Sequence, residues 1–143
     1  MSRFVTPAEV HIPLSGGDYL IVKAQLNAGE TLEVFARMRL ADDPDHVDPL
    51  QVGPAIAIGY LLDWSLTDDT GRIVSIRNQP ADVVLGALRA LEYDDYTEIL
   101  EAVQAHDTAL QAARAEKKTR RAGPTPSDRS SRSLAVVGGG TSG

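Results

Sequence analysis

The chain has 143 residues, a formal net charge of −6, 43% hydrophobic residues and no cysteine. That length suits one domain with a core of its own, and the lack of thiols excludes disulfides, zinc thiolate sites, iron–sulfur clusters and cysteine nucleophiles. The longest largely apolar run, Pro54 to Leu62, is about half of the roughly 20 residues a membrane-spanning helix needs, and the first residues lack the apolar stretch of a secretory signal, so a cytosolic protein with no membrane association is expected.

Charge is unevenly distributed. Residues 1–113 carry 7 basic and 18 acidic side chains, whereas residues 114–143 carry 7 basic and 2 acidic ones. An acidic body repels nucleic acid over most of its surface, so any DNA binding would have to reside in the basic end. The simpler reading is that the basic run keeps a flexible segment solvated.

In chain order, Glu9 to Leu14 alternates, Ser15-Gly16-Gly17-Asp18 supplies a turn, and Tyr19 to Ala24 is rich in aromatic and branched residues, which together predict a hairpin. Pro13 has no N–H to give to a ladder and places its strand at a sheet edge. Asn27-Ala28-Gly29-Glu30 breaks the run. Leu32, Phe35, Ala36 and Arg39 then fall at helical spacing in Thr31 to Leu40, predicting a short amphipathic helix; Leu32, Val34 and Ala36 also alternate, so a strand is the alternative. Asp42 to Pro49 reads as an exposed acidic loop. Its four carboxylates and His46 could meet a divalent cation, but from Asp43 the calcium-loop pattern needs Gly and Glu where Asp48 and Pro54 stand.

Ala55 to Leu62 is nearly all apolar, as a strand buried on both faces would be, although a buried helix has the same pattern. Asp63 to Thr67 alternates, Asp68-Asp69-Thr70-Gly71 is turn chemistry, and Arg72 to Ile76 can return as a second strand. This predicts a second hairpin with Trp64, Leu66, Ile73 and Ile76 inward. Pro80 suits the first position of a helix with Val84, Leu88 and Leu91 as its buried stripe. A longer helix from about Asp94 to Lys118 carries Tyr96, Ile99, Leu100 and Val103, with acids crowding its start and bases its end, as the helix dipole favours. The expected class is therefore α+β: a small antiparallel sheet of two hairpins against a C-terminal helical hairpin, plus one short additional helix. Residues 1–118 form the single domain, and 119–143 form a disordered basic tail rich in Gly, Ser and Arg. Gly138-Gly139-Gly140 lacks the Lys-Ser/Thr that a phosphate loop needs.

No catalytic, cofactor-binding or metal-binding residue is assigned, and no enzymatic activity is expected. His11, His46 and His106 fall on different predicted elements, and no nucleophile elbow, zinc-protease pair or dinucleotide fingerprint occurs. Glu98, Glu101 and His106 are spaced so that the histidine turns away from Glu101. Asp63 and Asp68 bracket Trp64 but suit a solvent-facing strand position and a turn opener better than acid–base work. Trp64 reads first as a core anchor and second as a partner-binding residue, should another chain complete the sheet's exposed face by self-association.

The order Val10-x-Ile12-Pro13, Gly17-Asp18-Tyr19, Val22-Lys23-x-x-Leu26-Asn27-x-Gly29-Glu30, Tyr60-Leu61-Leu62-Asp63-Trp64-Ser65-Leu66-Thr67-Asp68, and a final helix pair ending in Glu116-Lys117-Lys118 resembles the small tail assembly chaperones of long-tailed bacteriophages, over about residues 5 to 118. The resemblance implies a non-catalytic role in virion morphogenesis in the host cytoplasm. Such proteins bind the long, aggregation-prone tape measure protein, keep it soluble and help recruit tail-tube protein subunits around it. In many phages a longer form arises by programmed frameshifting near the end of the gene, and Lys117-Lys118 would suit a slippery A-rich codon pair. Two other readings fit the layout: a structural virion accessory protein of the head–tail or tail-tube region, and a nucleic-acid-binding regulator acting through the basic tail.

Overall fold

A computed structural model of the protein describes residues 3–122. Among them the elements run β1 (Glu9–Pro13), β2 (Tyr19–Lys23), α1 (Ala28–Arg37), α2 (Pro49–Tyr60), β3 (Leu61–Trp64), α3 (Ala81–Arg89) and α4 (Tyr93–Ala122), with a 3₁₀ turn at Ser15–Gly17. The class is α+β, as expected. Two compact units divide the chain at Thr108 and Ala109, within α4.

In the first unit the three strands form one antiparallel sheet in the order β1-β2-β3. The β1–β2 hairpin is the one read from sequence, and Gly16 and Gly17 take φ of 72° and 85° to close it. Val10 pairs with Val22 and Ile12 with Leu20. The bonds Ala24 N to Ala8 O (2.9 Å) and Leu14 N to Asp18 O (2.8 Å) fix the phase of the ladder. The even-numbered residues of β1 therefore direct their backbone groups at β2, and the odd-numbered ones direct theirs outward. Pro7 and Pro13 both hold outward positions, so this open edge offers N–H groups from Glu9 and His11 alone.

Helix α1 starts three residues earlier than expected, because the segment read as a break is its cap. Asn27 Oδ1 accepts from Glu30 N at 2.8 Å while Glu30 Oε1 accepts from Asn27 N at 2.9 Å, a reciprocal capping box. The strand alternative for this stretch is thereby excluded. The exposed faces also differ from expectation: Val34 is the buried residue of α1, and Leu32 and Phe35 are 66% and 51% exposed.

The largest correction concerns Ala55 to Leu62, read as a strand buried on both faces. Most of it is α2. Asp48, taken for part of the loop, caps the helix by accepting from Leu50 N at 3.0 Å, and Pro49 fills the first turn, where a missing N–H costs nothing. A helix enclosed by neighbours needs no polar face, which is why its pattern could not be told from a strand's. Glycines admit those neighbours. A Cβ on Gly53 would lie 3.0 Å from Leu100 Cδ2 on α4, and one on Gly59 would overlap Val34 of α1. Only Leu61–Trp64 is extended, and this β3 pairs with β2 through a bulge at Ile21/Val22.

The second hairpin is accordingly reduced. Its turn is as expected, with Gly71 at φ 83°, but the returning chain makes only the isolated Thr67–Ile73 bridge, through bonds from Asp68 N to Arg72 O and from Val74 N to Leu66 O. Side chains replace the rest of the ladder, as described below. Ile76 is buried, whereas Ile73 faces solvent at 61% exposure, so it does not belong to the inner face. Helix α3 begins directly after Pro80 and buries Val84 and Leu88, lying beside α2. The first half of α4 buries Ile99, Leu100 and Val103. With Leu20, Val22 and Trp64 from the sheet and Ala55, Ala57 and Tyr60 from α2, these make the core.

In the second unit, residues 109–122 continue α4, so helix replaces the start of the tail expected from 119. Over residues 109–120 the surface is exposed apart from the half-buried Leu110, and Glu116 pairs with Arg120 one turn on. The remainder of the expected tail, including the glycine run, lies outside the described residues.

Candidate interaction surface

Several polar side chains of the first unit hold it together. Asp63 Oδ1 accepts from Trp64 N (3.0 Å) and Ile76 N (3.2 Å), tying the returning chain to β3. Asp63 Oδ2 lies 3.5 Å from Arg77 Nε, and Arg77 Nη1 reaches Glu9 Oε2 on β1 at 3.0 Å. One guanidinium thus links the two outer strands of the sheet. Asp63 is a structural tie and not the solvent-facing strand residue expected. Asp68 does open its turn, taking Thr70 Oγ1 at 2.6 Å and Thr70 N at 2.8 Å. The Thr70 hydroxyl, then the Arg72 and Thr70 N–H groups, hold its carboxyl below the ordinary value. The two aspartates therefore serve separate geometric ends.

Trp64, the one side chain singled out as a partner contact, is 3% exposed and donates its indole N–H to Val74 O at 2.6 Å. The chain's own core surrounds it, which leaves it no face to offer a partner. The suggested helical trio is also dispersed. Glu98 accepts from Ser15 N (2.7 Å) and Ser15 Oγ (2.8 Å) at the β1–β2 turn, contacts that lower its pKa. Glu101 faces solvent, and His106 Nε2 lies 3.0 Å from Lys23 O with its ring edge-on to Tyr60. In the acidic loop, His46 pairs with Asp43 at 2.6 Å. His11 stacks on Tyr19 with ring centroids 5.2 Å apart. Among the described residues no three His, Asp or Glu side chains converge as a metal set would.

Two clefts of about 250 and 280 Å³ share Lys23, Glu30 and Leu62 in their walls. Both are small beside the roughly 300–1,000 Å³ of ordinary ligand pockets. The charges where they meet are already paired, Lys23 Nζ to Glu30 Oε2 at 2.6 Å, and the same carboxylate caps α1. Burial works against ionisation of Glu30, but its bonds from Lys23 and Asn27 outweigh that and lower its pKa.

What the first unit displays is apolar. Leu32 and Phe35 stand on the outer side of α1, and Val47 and Leu50 are 56% and 82% exposed. The backbone brings the two pairs near each other within the first unit: Arg39 bridges to Val47, and Asp48 N donates to Met38 O at 2.7 Å, so the start of α2 folds back beside the end of α1. Asp42 and Asp45 rim this patch on the exposed loop. The patch, rather than Trp64, is the candidate interaction surface. No family model, curated protein or solved structure matches this chain. No helix among the described residues is long and apolar enough to cross a membrane.

Part of the patch is legible in sequence. Leu32, Phe35 and Ala36 form a stripe at helical spacing; what the pattern does not tell is that Val34, on the opposite side, meets Gly59 and turns that stripe outward.

Proposed function

We propose that the protein is a non-catalytic tail assembly chaperone of a long-tailed bacteriophage, which acts in the host cytoplasm by reversibly binding the tape measure protein and helping tail-tube subunits gather around it. One observation supports a binding role above others: four large apolar side chains, Leu32, Phe35, Val47 and Leu50, are displayed on α1, just before α2 and in its first turn, rimmed by the exposed Asp42 and Asp45. Exposed apolar clusters of this kind mark surfaces for other proteins, and a helical client would lay its own apolar stripe against them. The family itself rests on the resemblance of residues 5 to 118.

Co-expression with the tape measure protein of the same genome tests the reading. The expected result is a higher soluble yield of that protein and a complex that survives co-purification. Leu50→Asp and Phe35→Asp should weaken the complex. An insoluble tape measure protein with no complex would remove the proposal. Stoichiometric amounts of the chain in purified virions would make it a structural subunit instead.

A further inference from the structure

The outer face of α1 is self-complementary. At 100° per residue, Gly29, Leu32 and Ala36 follow one line along this face, with Phe35 on one flank and Glu33 and Arg37 together on the other. All six are solvent-exposed. The small Ala36, one turn on from Leu32, leaves room for another helix to approach closely. Glu33 and Arg37 have the spacing at which a single helix often pairs its own charges. Yet neither enters an ion pair among the described residues, where the pairs formed are Lys23–Glu30, His46–Asp43, Arg77 with Glu9 and Asp63, and Arg120–Glu116.

We infer that the free protein self-associates through α1, which packs antiparallel on α1 of a second copy about a two-fold axis near Phe35. Two features of the face select this occupant and this direction. A two-fold contact sets a surface against itself, so each group must find its complement on the same patch. In an antiparallel helix pair, like flanks meet. Glu33 and Arg37 lie equally far on either side of residue 35, so Glu33 of one copy meets the partner's Arg37, and the reverse pair forms by symmetry. A parallel two-fold pair would instead bring unlike flanks together, setting Glu33 and Arg37 beside the partner's Phe35 flank, where neither charge finds a complement. Leu32 and Ala36 fill the centre and Phe35 closes one side. Because α1 has only ten residues, the interface is smaller than the roughly 1,200–2,000 Å² of tight complexes, and the dimer should be weak and reversible. This association is a property of the protein alone and holds whatever client it takes, so failure of the tape measure test leaves it standing.

Sedimentation velocity of the full chain over a concentration series reads it directly. The expected result is a monomer–dimer equilibrium that Leu32→Glu abolishes while the far-UV spectrum and unfolding midpoint of the monomer stay put. Arg37→Glu and Glu33→Arg should each weaken the dimer by roughly tenfold over the two symmetric pairs, and the double exchange Glu33→Arg/Arg37→Glu should restore it. A chain that stays monomeric at the highest concentration overturns the inference. So does a dimer indifferent to Leu32→Glu, and a double exchange that dimerises no better than the single variants overturns the antiparallel register.

Discussion

Helices α1 and α3 are nearly the same length, ten and nine residues, and each has a marked apolar side. Helix α3 turns that side inward, burying Val84 and Leu88, and α1 turns most of its apolar side outward, burying only Val34. Their fastenings differ too. Helix α1 is held by a capping box, the Lys23–Glu30 ion pair and the approach of Val34 to Gly59, whereas α3 starts after Pro80 with no side-chain cap and relies on what it buries. Amphipathy thus reports that a helix has an adhesive side but not what covers it. Where polar bonds anchor a helix, its apolar side is released for other use.

Substitutions can break or sharpen this contrast. Trp64→Ala sets the upper scale, since an enclosed indole with a satisfied N–H should cost about 3–5 kcal/mol in urea unfolding. Leu88→Ala on α3 should cost about 2–5 kcal/mol, for Leu88 is fully buried. Gly59→Ala pushes a methyl group into Val34 and should cost about 1–3 kcal/mol, loosening α1 without touching α3. Leu32→Ala should stay within about 0.5 kcal/mol; a loss as large as that at Leu88 would mean that the outer side of α1 is covered within the single chain, and the contrast would fail.

A pH titration separates the two helices by their caps. The folded pKa of Glu30 is lowered, so its contribution is fully present above the unfolded value of about 4.3 and is lost as pH falls through the lower folded value. Glu30→Gln should therefore reduce the unfolding midpoint at neutral pH, and the gap from wild type should close in acid. A gap unchanged at pH 3 would show that the carboxylate charge is irrelevant to the cap.

How much was legible in the sequence follows from where each element's information lies. The β1–β2 hairpin, the Asp68–Gly71 turn, Val84 and Leu88 of the α3 stripe and the start of α4 depend on local spacing and turn chemistry and stand where expected, whereas Leu91 lies beyond the end of α3 and is only half-buried. Helix α2 was illegible because its signature is tertiary: a run enclosed by α1, α3 and α4 shows no polar face to betray its period. The local signs, Asp48 and Pro49, were present but look the same in a loop. Asp63 was misread for a related reason, since its partners Ile76 and Arg77 come from a segment that makes almost no ladder with β3. As for the candidate surface, Leu32 and Phe35 stood out in sequence, but whether they faced inward or outward depended on Gly59, more than twenty positions along the chain, and no spacing marked Val47 or Leu50.

The open edge of β1 carries a last implication. Prolines at positions 7 and 13 leave two backbone donors between them, too short a template for another strand to extend the sheet indefinitely. The chaperone role proposed above would expose the protein to recruitment into the deposits of its own clients. Growth along the β1 edge is limited by covalent structure, and most of the exposed apolar patch sits on helices, whose backbone bonds are already closed. Contacts made through such side chains would end at a definite number of molecules, which would keep a partner releasable.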